Sequence, residues 1–256
     1  MLIEGPDAIA FAQSQFSSDV SSLAVGRWQF SAWLDAQGRV RALFHLAKLS
    51  EQSLLLVLRG GRADTLAEGL RRFVFRSKVR VEAMPARALG TSDAKDMYEV
   101  RQTNDGVVLG CGSHALSIGA HADDDWRVEH IRMGWPWLPD EALDALLPPA
   151  LSLERLQGIA FDKGCYPGQE IVARLHYRGG HKRHMHCVVL SQHIPPGTVL
   201  REEQSDAVFV LDSMLANQSY IALAVVSDAV SERGETLALS CNGERVDVEL
   251  QQRWAD

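Results

Sequence analysis

A chain of 256 residues with 46% apolar and 23% charged content has an ordinary globular composition and enough length to bury a sizeable core. Its formal charge of −7 argues against a general nucleic-acid or membrane-surface binder, because phosphate contacts need clustered cations. No apolar run approaches the roughly 20 residues of a membrane span, and the N-terminus lacks the basic-then-apolar plan of a signal peptide. Cys111, Cys165, Cys187 and Cys241 show no CxxC spacing, so neither a zinc site nor a secreted disulfide framework is indicated, and a cytoplasmic location is expected.

Gly5-Pro6-Asp7 opens a predicted helix with Ile9, Ala12 and Phe16 on its apolar face and the proline in its first turn. In the segment Gln13-Ser-Gln-Phe-Ser-Ser-Asp19-Val20 that follows, Asp19 suits a capping role at the next turn. Residues 28–34 and 40–49 read as strands joined by a hairpin at Asp35-Ala-Gln-Gly38. A short apolar strand is expected at 54–58, a helix at 65–73 and an alternating strand at 78–82. Strands with helices returning between them predict an α+β sheet with helices on one face.

Small and polar residues from Met84-Pro85 to Asp93 mark a boundary. Short strands are expected at 98–102, 107–110 and 115–118. Asp123-Asp-Asp125 then favours a helix start over 126–133, stopped by Gly134 with Pro136 beyond. Residues 141–147 read as a short helix closed by Pro148-Pro149. From His184 onward, short alternating runs at 186–190, 198–200, 207–211, 221–226, 236–240 and 245–250 predict a small closed barrel. The resulting units are 1–84, 85–183 and 184–256.

The densest chemistry lies in Lys163-Gly164-Cys165-Tyr166-Pro167-Gly168-Gln169-Glu170. Two glycines and a proline specify a tight turn, and Pro167 suits the first position of a helix over 168–175, with Ile171, Val172 and Leu175 on one face. Residues 158–161 form a short buried approach. Cys165 then faces free N–H groups with Lys163 two residues away, a setting that favours the thiolate; a small cysteine buried at a tight corner is the plainer alternative. Beyond it, Arg174-x-x-x-Arg178-Gly-Gly-His-Lys182-Arg183 contains no acid between Glu170 and Glu202, which fits either an anion site or a solvated interdomain loop. Five of the nine histidines fall between His176 and His193 without zinc-type spacing, so no metal centre is expected. Cys165 with a histidine base also outlines a hydrolase, but no oxyanion-hole motif accompanies it. Trp28, Trp33, Trp126, Trp135 and Trp137 are either core or faces for a flat heterocycle such as a pterin.

KGCYPGQE followed by Ile-Val-Ala-Arg resembles the signature of the YgfZ-type proteins. These are folate-binding relatives of the glycine-cleavage T-protein (aminomethyltransferase) that support iron–sulfur cluster assembly or repair. Residues 13–20 are similar to a second segment of that family, with Ser14 in place of a glycine, and the Arg-x-x-x-Arg-Gly run to a third. The resemblance covers nearly the whole chain. It implies a T-protein-like α+β fold: two sheet-and-helix units around a central cleft, plus a C-terminal β-barrel. Relatives have a further strand before the Gly5-Pro6 turn, so an abbreviated first unit is expected here.

The same resemblance implies tetrahydrofolate as cofactor and iron–sulfur proteins or their assembly machinery as partners. Effects on tRNA modification would run through enzymes such as radical tRNA thiolases, with no direct nucleic-acid or membrane partner. It points to Cys165 and Lys163 as the catalytic pair and to Trp33, Arg132, Tyr166, Gln169, Glu170 and Arg178 around the cofactor. A folate-dependent aminomethyl or one-carbon transferase and a non-catalytic docking module are the alternatives. The T-protein carboxylate that follows a Gly-Gly-Val turn has no acid at its place in the similar Gly38-Arg39-Val40-Arg41-Ala42-Leu43, which argues against aminomethyl transfer. The acid that holds the pterin before an Ala-Gly is replaced by Arg132 in His130-Ile131-Arg132-Met133-Gly134.

Overall fold

The computed structural model describes residues 1–254, so the last two residues of the barrel unit lie outside the described residues. Strand β1 (Leu2–Glu4) leads into helix α1 (Ala8–Gln15), followed by β2 (Arg27–Leu34), β3 (Val40–Ser50), β4 (Ser53–Gly60), α2 (Ala63–Arg71) and β5 (Arg80–Glu82). The five strands make an antiparallel sheet ordered β2-β3-β4-β1-β5. The Asp35–Gly38 turn joins β2 to β3 as expected: Asp35 Oδ1 accepts the N–H groups of Gln37 and Arg39 at 2.9 and 2.8 Å, and Gly38 adopts φ +78°. α1 and α2 bury Phe11, Ala12, Leu66 and Leu70 against the sheet with Phe16, Trp33 and Phe44. The three residues of β1 sit inside the sheet, with Ile3 fully buried between β4 and β5, a strand too short to announce itself by alternation.

Strands β6 (Ala88–Ser92), β7 (Val100–Thr103), β8 (Gly106–Gly110) and β9 (Ala115–Gly119) form a second antiparallel sheet, ordered β6-β9-β8-β7. β6 runs through the small, polar stretch that composition alone marks as a boundary. Helix α3 (Asp125–Met133) ends at Gly134 in the left-handed conformation, φ +63°, as its stop signal predicts. The sheets meet where Trp28 donates its backbone N–H to Tyr98 O and Val100 donates to Gly26 O, at 2.9 and 2.8 Å.

Residues 141–147 do not form the expected helix; only the first two fall in a 3-10 turn. Short 3-10 turns occupy Asp140–Ala142 and Pro148–Leu151. Between them Val40 donates to Leu146 O and Asp144 to Val40 O, both at 2.9 Å, so the start of β3 captures the backbone that a helix would need.

After helix α4 (Gln169–Arg178) come β10 (Arg183–Leu190), β11 (Val199–Glu202), β12 (Ser205–Ala216), β13 (Ser219–Ser227), α5 (Asp228–Ser231), β14 (Thr236–Cys241) and β15 (Glu244–Trp254). All six expected strands are present, closed in the order β10-β13-β12-β11-β14-β15. Along β10, Met185 and Cys187 join the core shared with the two sheets, whereas Val188 and Leu190 fill the barrel interior, with a register shift between Cys187 and Val188. That central core also holds Trp28, Phe30, Trp135, Leu211 and Trp254. Ser152 Oγ donates to Trp254 O at 3.0 Å, and Arg127 of α3 pairs with the buried Asp212 of β12, so the barrel is tied to the 85–183 segment at two points.

Candidate functional site

Ser17 is the point where the approach to the signature turn is fastened. Its N–H donates to Ala32 O at 3.0 Å, and its Oγ accepts from Ala32 N–H at 2.9 Å. That hydroxyl donates to Gly158 O at 2.6 Å, while Ala160 donates to Ser17 O at 2.8 Å. Residues 158–160 therefore lie beside the loop that follows α1, and the buried Ile159 faces the core. The loop is itself braced: Gln13 Oε1 accepts from Val20 N–H at 2.7 Å, and Gln13 Nε2 donates to Asp19 Oδ1 at 2.9 Å. Asp19 also accepts from Ser21 N–H at 3.1 Å, the turn-capping role expected of it. Burial pulls the Asp19 carboxyl upward, but hydrogen bonds from Ser22, Gln13 and the backbone outweigh it and hold the pKa below the ordinary value.

Lys163 joins the two segments. Its ammonium donates to Phe16 O at 2.7 Å and Ser18 O at 2.6 Å and lies 5.1 Å from the centre of the Tyr166 ring. Burial lowers its pKa to about 8, against a smaller opposing pull from Asp19. Lys163 thus commits its donors to carbonyls across more than 140 residues of sequence and fixes the turn in place. Tyr166 is buried in the central core, its hydroxyl without a partner among the described residues, whereas Cys165 between them is exposed to solvent.

Pro167 does not begin the helix. Gly168 occupies the N-cap position in the left-handed conformation, φ +78°, and α4 starts at Gln169. The reason is steric. A Cβ built on Gly168 would fall 2.5 Å from Asp35 O and 2.7 Å from Gly38 Cα, so the turn rests backbone-to-backbone on the β2–β3 hairpin. The signature turn thereby touches both the 13–20 segment, through Lys163, and the Asp35–Gly38 hairpin, through Gly168. Phe161 stacks on His176 of α4 with ring centres 4.2 Å apart, and His176 Nδ1 lies 2.8 Å from Glu154 Oε2.

The remaining residues singled out in the sequence are dispersed. Gln169 and Glu170 form the first turn of α4, Glu170 exposed. Arg178 ends that helix in solvent, and Arg174, Arg178, Lys182 and Arg183 form no ion pair among the described residues. Trp33 is buried under Arg41, whose guanidinium lies 4.8 Å from its ring, and its indole Nε1 has no partner among the described residues. Arg132 sits on the exposed side of α3 and pairs with Glu129 at 2.9 Å. Trp28, Phe30 and Trp135 pack edge-to-face with one another, Phe30 and Trp135 do so with His45, and Trp28 lies tilted over His45 at 33°, the ring centres 4.2–6.1 Å apart. This arrangement does not fit a pterin held as in a T-protein. A separate apolar cavity of about 500 Å³, lined in part by Leu55, Val57, Leu89, Ile118 and Trp137, lies between the two sheets and includes no signature residue.

Sequence spacing gave no sign of a second polar centre in the core. Arg59, fully buried at the end of β4, donates to Pro136 O and Trp135 O at 2.8 Å, to His130 Nδ1 at 3.0 Å and to His45 Nε2 at 3.4 Å. Burial lowers its pKa to about 9. Burial and then Arg59 drive His45 and His130 well below the ordinary imidazole value, so both are neutral. His130 Nδ1 accepts from Arg59, so its proton sits on Nε2 and points at His114 Nε2, 3.1 Å away. Cys111 lies beside this pair, and the three ligand atoms fall within 4.8 Å of one another. A metal-bound imidazole needs its second nitrogen to donate, and here the buried guanidinium claims that position. The arrangement is a hydrogen-bonded chain with a cation at its root.

A T-protein-like α+β architecture with an exposed thiol on an anchored turn is the class these observations define. Glycine cleavage system aminomethyltransferase T from Bartonella henselae is similar in structure, with a TM-score of 0.75 over 98% of this chain and 82% of that one at 15% identity. No family model matches the sequence. An uncharacterized protein of Haemophilus influenzae is 30% identical over 190 residues, covering 72% of this chain and 68% of that protein. The tRNA-modifying protein YgfZ of Aliivibrio fischeri is 27% identical across 96% of this chain and 83% of its own, and that of Sodalis glossinidius is 27% identical across 76% and 70%. The chain belongs to the YgfZ family of T-protein-like proteins.

Proposed function

We propose that this protein is a cytoplasmic accessory factor for the assembly or repair of iron–sulfur clusters, and that it affects tRNA modification through the iron–sulfur enzymes it serves. Cys165 is its functional thiol. The observation that carries this reading is the division of labour within the signature: Lys163, Tyr166 and Gly168 are all consumed in holding the turn, while the cysteine they flank is left in solvent. The printed name of the YgfZ relatives supports the tRNA-modification side. No helix among the described residues is long and apolar enough to cross a membrane.

Reduced folate belongs to the proposal as a ligand. Arg174, Arg178 and Lys182 offer cations for glutamyl carboxylates, while the pterin lacks the carboxylate it meets in a T-protein. The stretch from Gly38 to Leu43, where the resemblance would put the transferase acid, contains none, and this weighs against one-carbon transfer. Cells lacking the protein test the reading: wild type should restore thiolated tRNA and Cys165→Ser should not. Equal restoration by both would leave the docking-module alternative. A purified protein that forms methylene-tetrahydrofolate from a lipoyl-carried aminomethyl donor would install the transferase instead.

A further inference from the structure

At the barrel end that α5 covers, several polar atoms go unused by the fold. His184 and His186 are two apart on β10, and His186 lies directly opposite Ala224 of β13 and Arg253 of β15. Arg253 Nη2 donates to Asp228 of α5 at 3.2 Å and lies 2.9 Å from His184 Nδ1, which is itself 2.7 Å from the Asp228 carboxylate. A cavity of about 220 Å³ opens beside this group, lined by His186, Ser231, Arg253 and residues 250–252. His186 is only 3% exposed, and its Nε2 is buried without a partner among the described residues, as are Ser231 Oγ and His181 Nε2. The His181 ring centre is 5.6 Å from that of His184.

A buried polar atom left unbonded costs stability, and native folds seldom leave two in one cavity. Here both can donate, and Arg253, whose Nη2 meets Asp228 and His184, lines the same cavity. Lys182 and Arg183 lead into the same strand, and no acid occurs from residue 171 to residue 201. A metal ion would face Arg253. We propose that this cavity binds a small oxyanion, with Arg253 supplying the charge and His186 Nε2–H and Ser231 Oγ–H donating hydrogen bonds. Burial first, then Arg253 and His184, lowers the His186 pKa to about 4, so the ring is neutral and can present Nε2 as an N–H. Inorganic phosphate or sulfate and the carboxylate of a larger molecule share this chemistry, and the mouths of β-barrels are frequent ligand sites.

The test titrates the whole protein with phosphate, sulfate and acetate at constant ionic strength, following the His186 ring and the Ser231 amide by NMR alongside the melting temperature. Saturable shifts at both residues, with a raised melting temperature, are expected from at least one oxyanion. Saturation by phosphate or sulfate alone identifies an inorganic oxyanion, and saturation by acetate a carboxylate. Ser231→Ala and His186→Asn should each weaken binding about tenfold or more. The serine change serves if the histidine change perturbs the barrel, and Arg178→Ala should leave binding intact. A response that chloride reproduces, the absence of saturation, or loss of binding in Arg178→Ala would overturn the assignment, leaving the cavity to water or moving the anion to the basic loop.

Discussion

Gly168 and Gly38 touch through their backbones: a Cβ on Gly168 would come within 2.7 Å of the Gly38 Cα, and one on Gly38 within 3.2 Å of the Ile171 Cβ. Both glycines have φ +78°, so each faces strain as well as a clash on substitution. Gly168→Ala should destabilise the fold by on the order of 3 kcal/mol and dislodge the signature turn. Gly164, four residues earlier in the same signature, has nothing within 4 Å of a built Cβ, so Gly164→Ala should leave the urea midpoint almost unchanged. Equal losses in the two variants would mean that the turn does not rest on the hairpin.

Lys163 carries a pH dependence of defined sign. Its pKa is about 8 in the fold against an ordinary 10.5, so between these values the unfolded chain holds the extra proton. Stability from this group therefore rises with pH across that window, and the penalty for burying the charge is fully present below it. Wild type should gain on Lys163→Met between pH 8 and 10 in denaturant unfolding. A difference that is flat across that range would place the ammonium in solvent.

Arg59 is a buried cation that satisfies two carbonyls and two imidazoles. Arg59→Met removes the donor and orphans those acceptors, so a loss of about 3–5 kcal/mol is expected. Wild-type stability at the Met variant would show that the histidine chain is satisfied by other means.

The barrel, the Asp35–Gly38 hairpin and the Gly134 stop were legible because each rests on local rules: alternation, turn residues, a left-handed cap. β1 was not, since three residues carry no period, and the turn at 143–145 was set by hydrogen bonds to Val40 that no local pattern announces. The signature itself stood out in sequence, but its site did not. Lys163 reaches Phe16 and Ser18, and only folding reveals why an ammonium, a small-residue loop and a hairpin glycine belong together. The Arg59 centre joins residues 45, 59, 111, 114 and 130, a set without regular spacing. Its one trace in sequence was an arginine closing the otherwise apolar run 54–58.

Thiol reactivity should follow burial. Burial pushes Cys111 up to about 12 and Cys187 up to about 11, and both are packed in the central core, whereas Cys165 is exposed. Alkylation at neutral pH followed by mass spectrometry should label Cys165 first and leave Cys111 and Cys187 to unfolding events. Comparable rates at all sites would mean that the turn opens as a unit with the core.

Cys165→Ser bears most directly on the proposed role, because serine fits an exposed position without altering what Lys163, Tyr166 and Gly168 hold. The measurement is the activity of an iron–sulfur tRNA-thiolating enzyme in cells carrying the wild type, the serine variant or neither, at matched protein level and with melting temperatures taken in parallel. The expected result is an unchanged melting temperature with enzyme activity reduced to that of cells lacking the protein. Full activity with Cys165→Ser would show that the turn acts through its shape and not its sulfur, and would contradict the thiol-centred role.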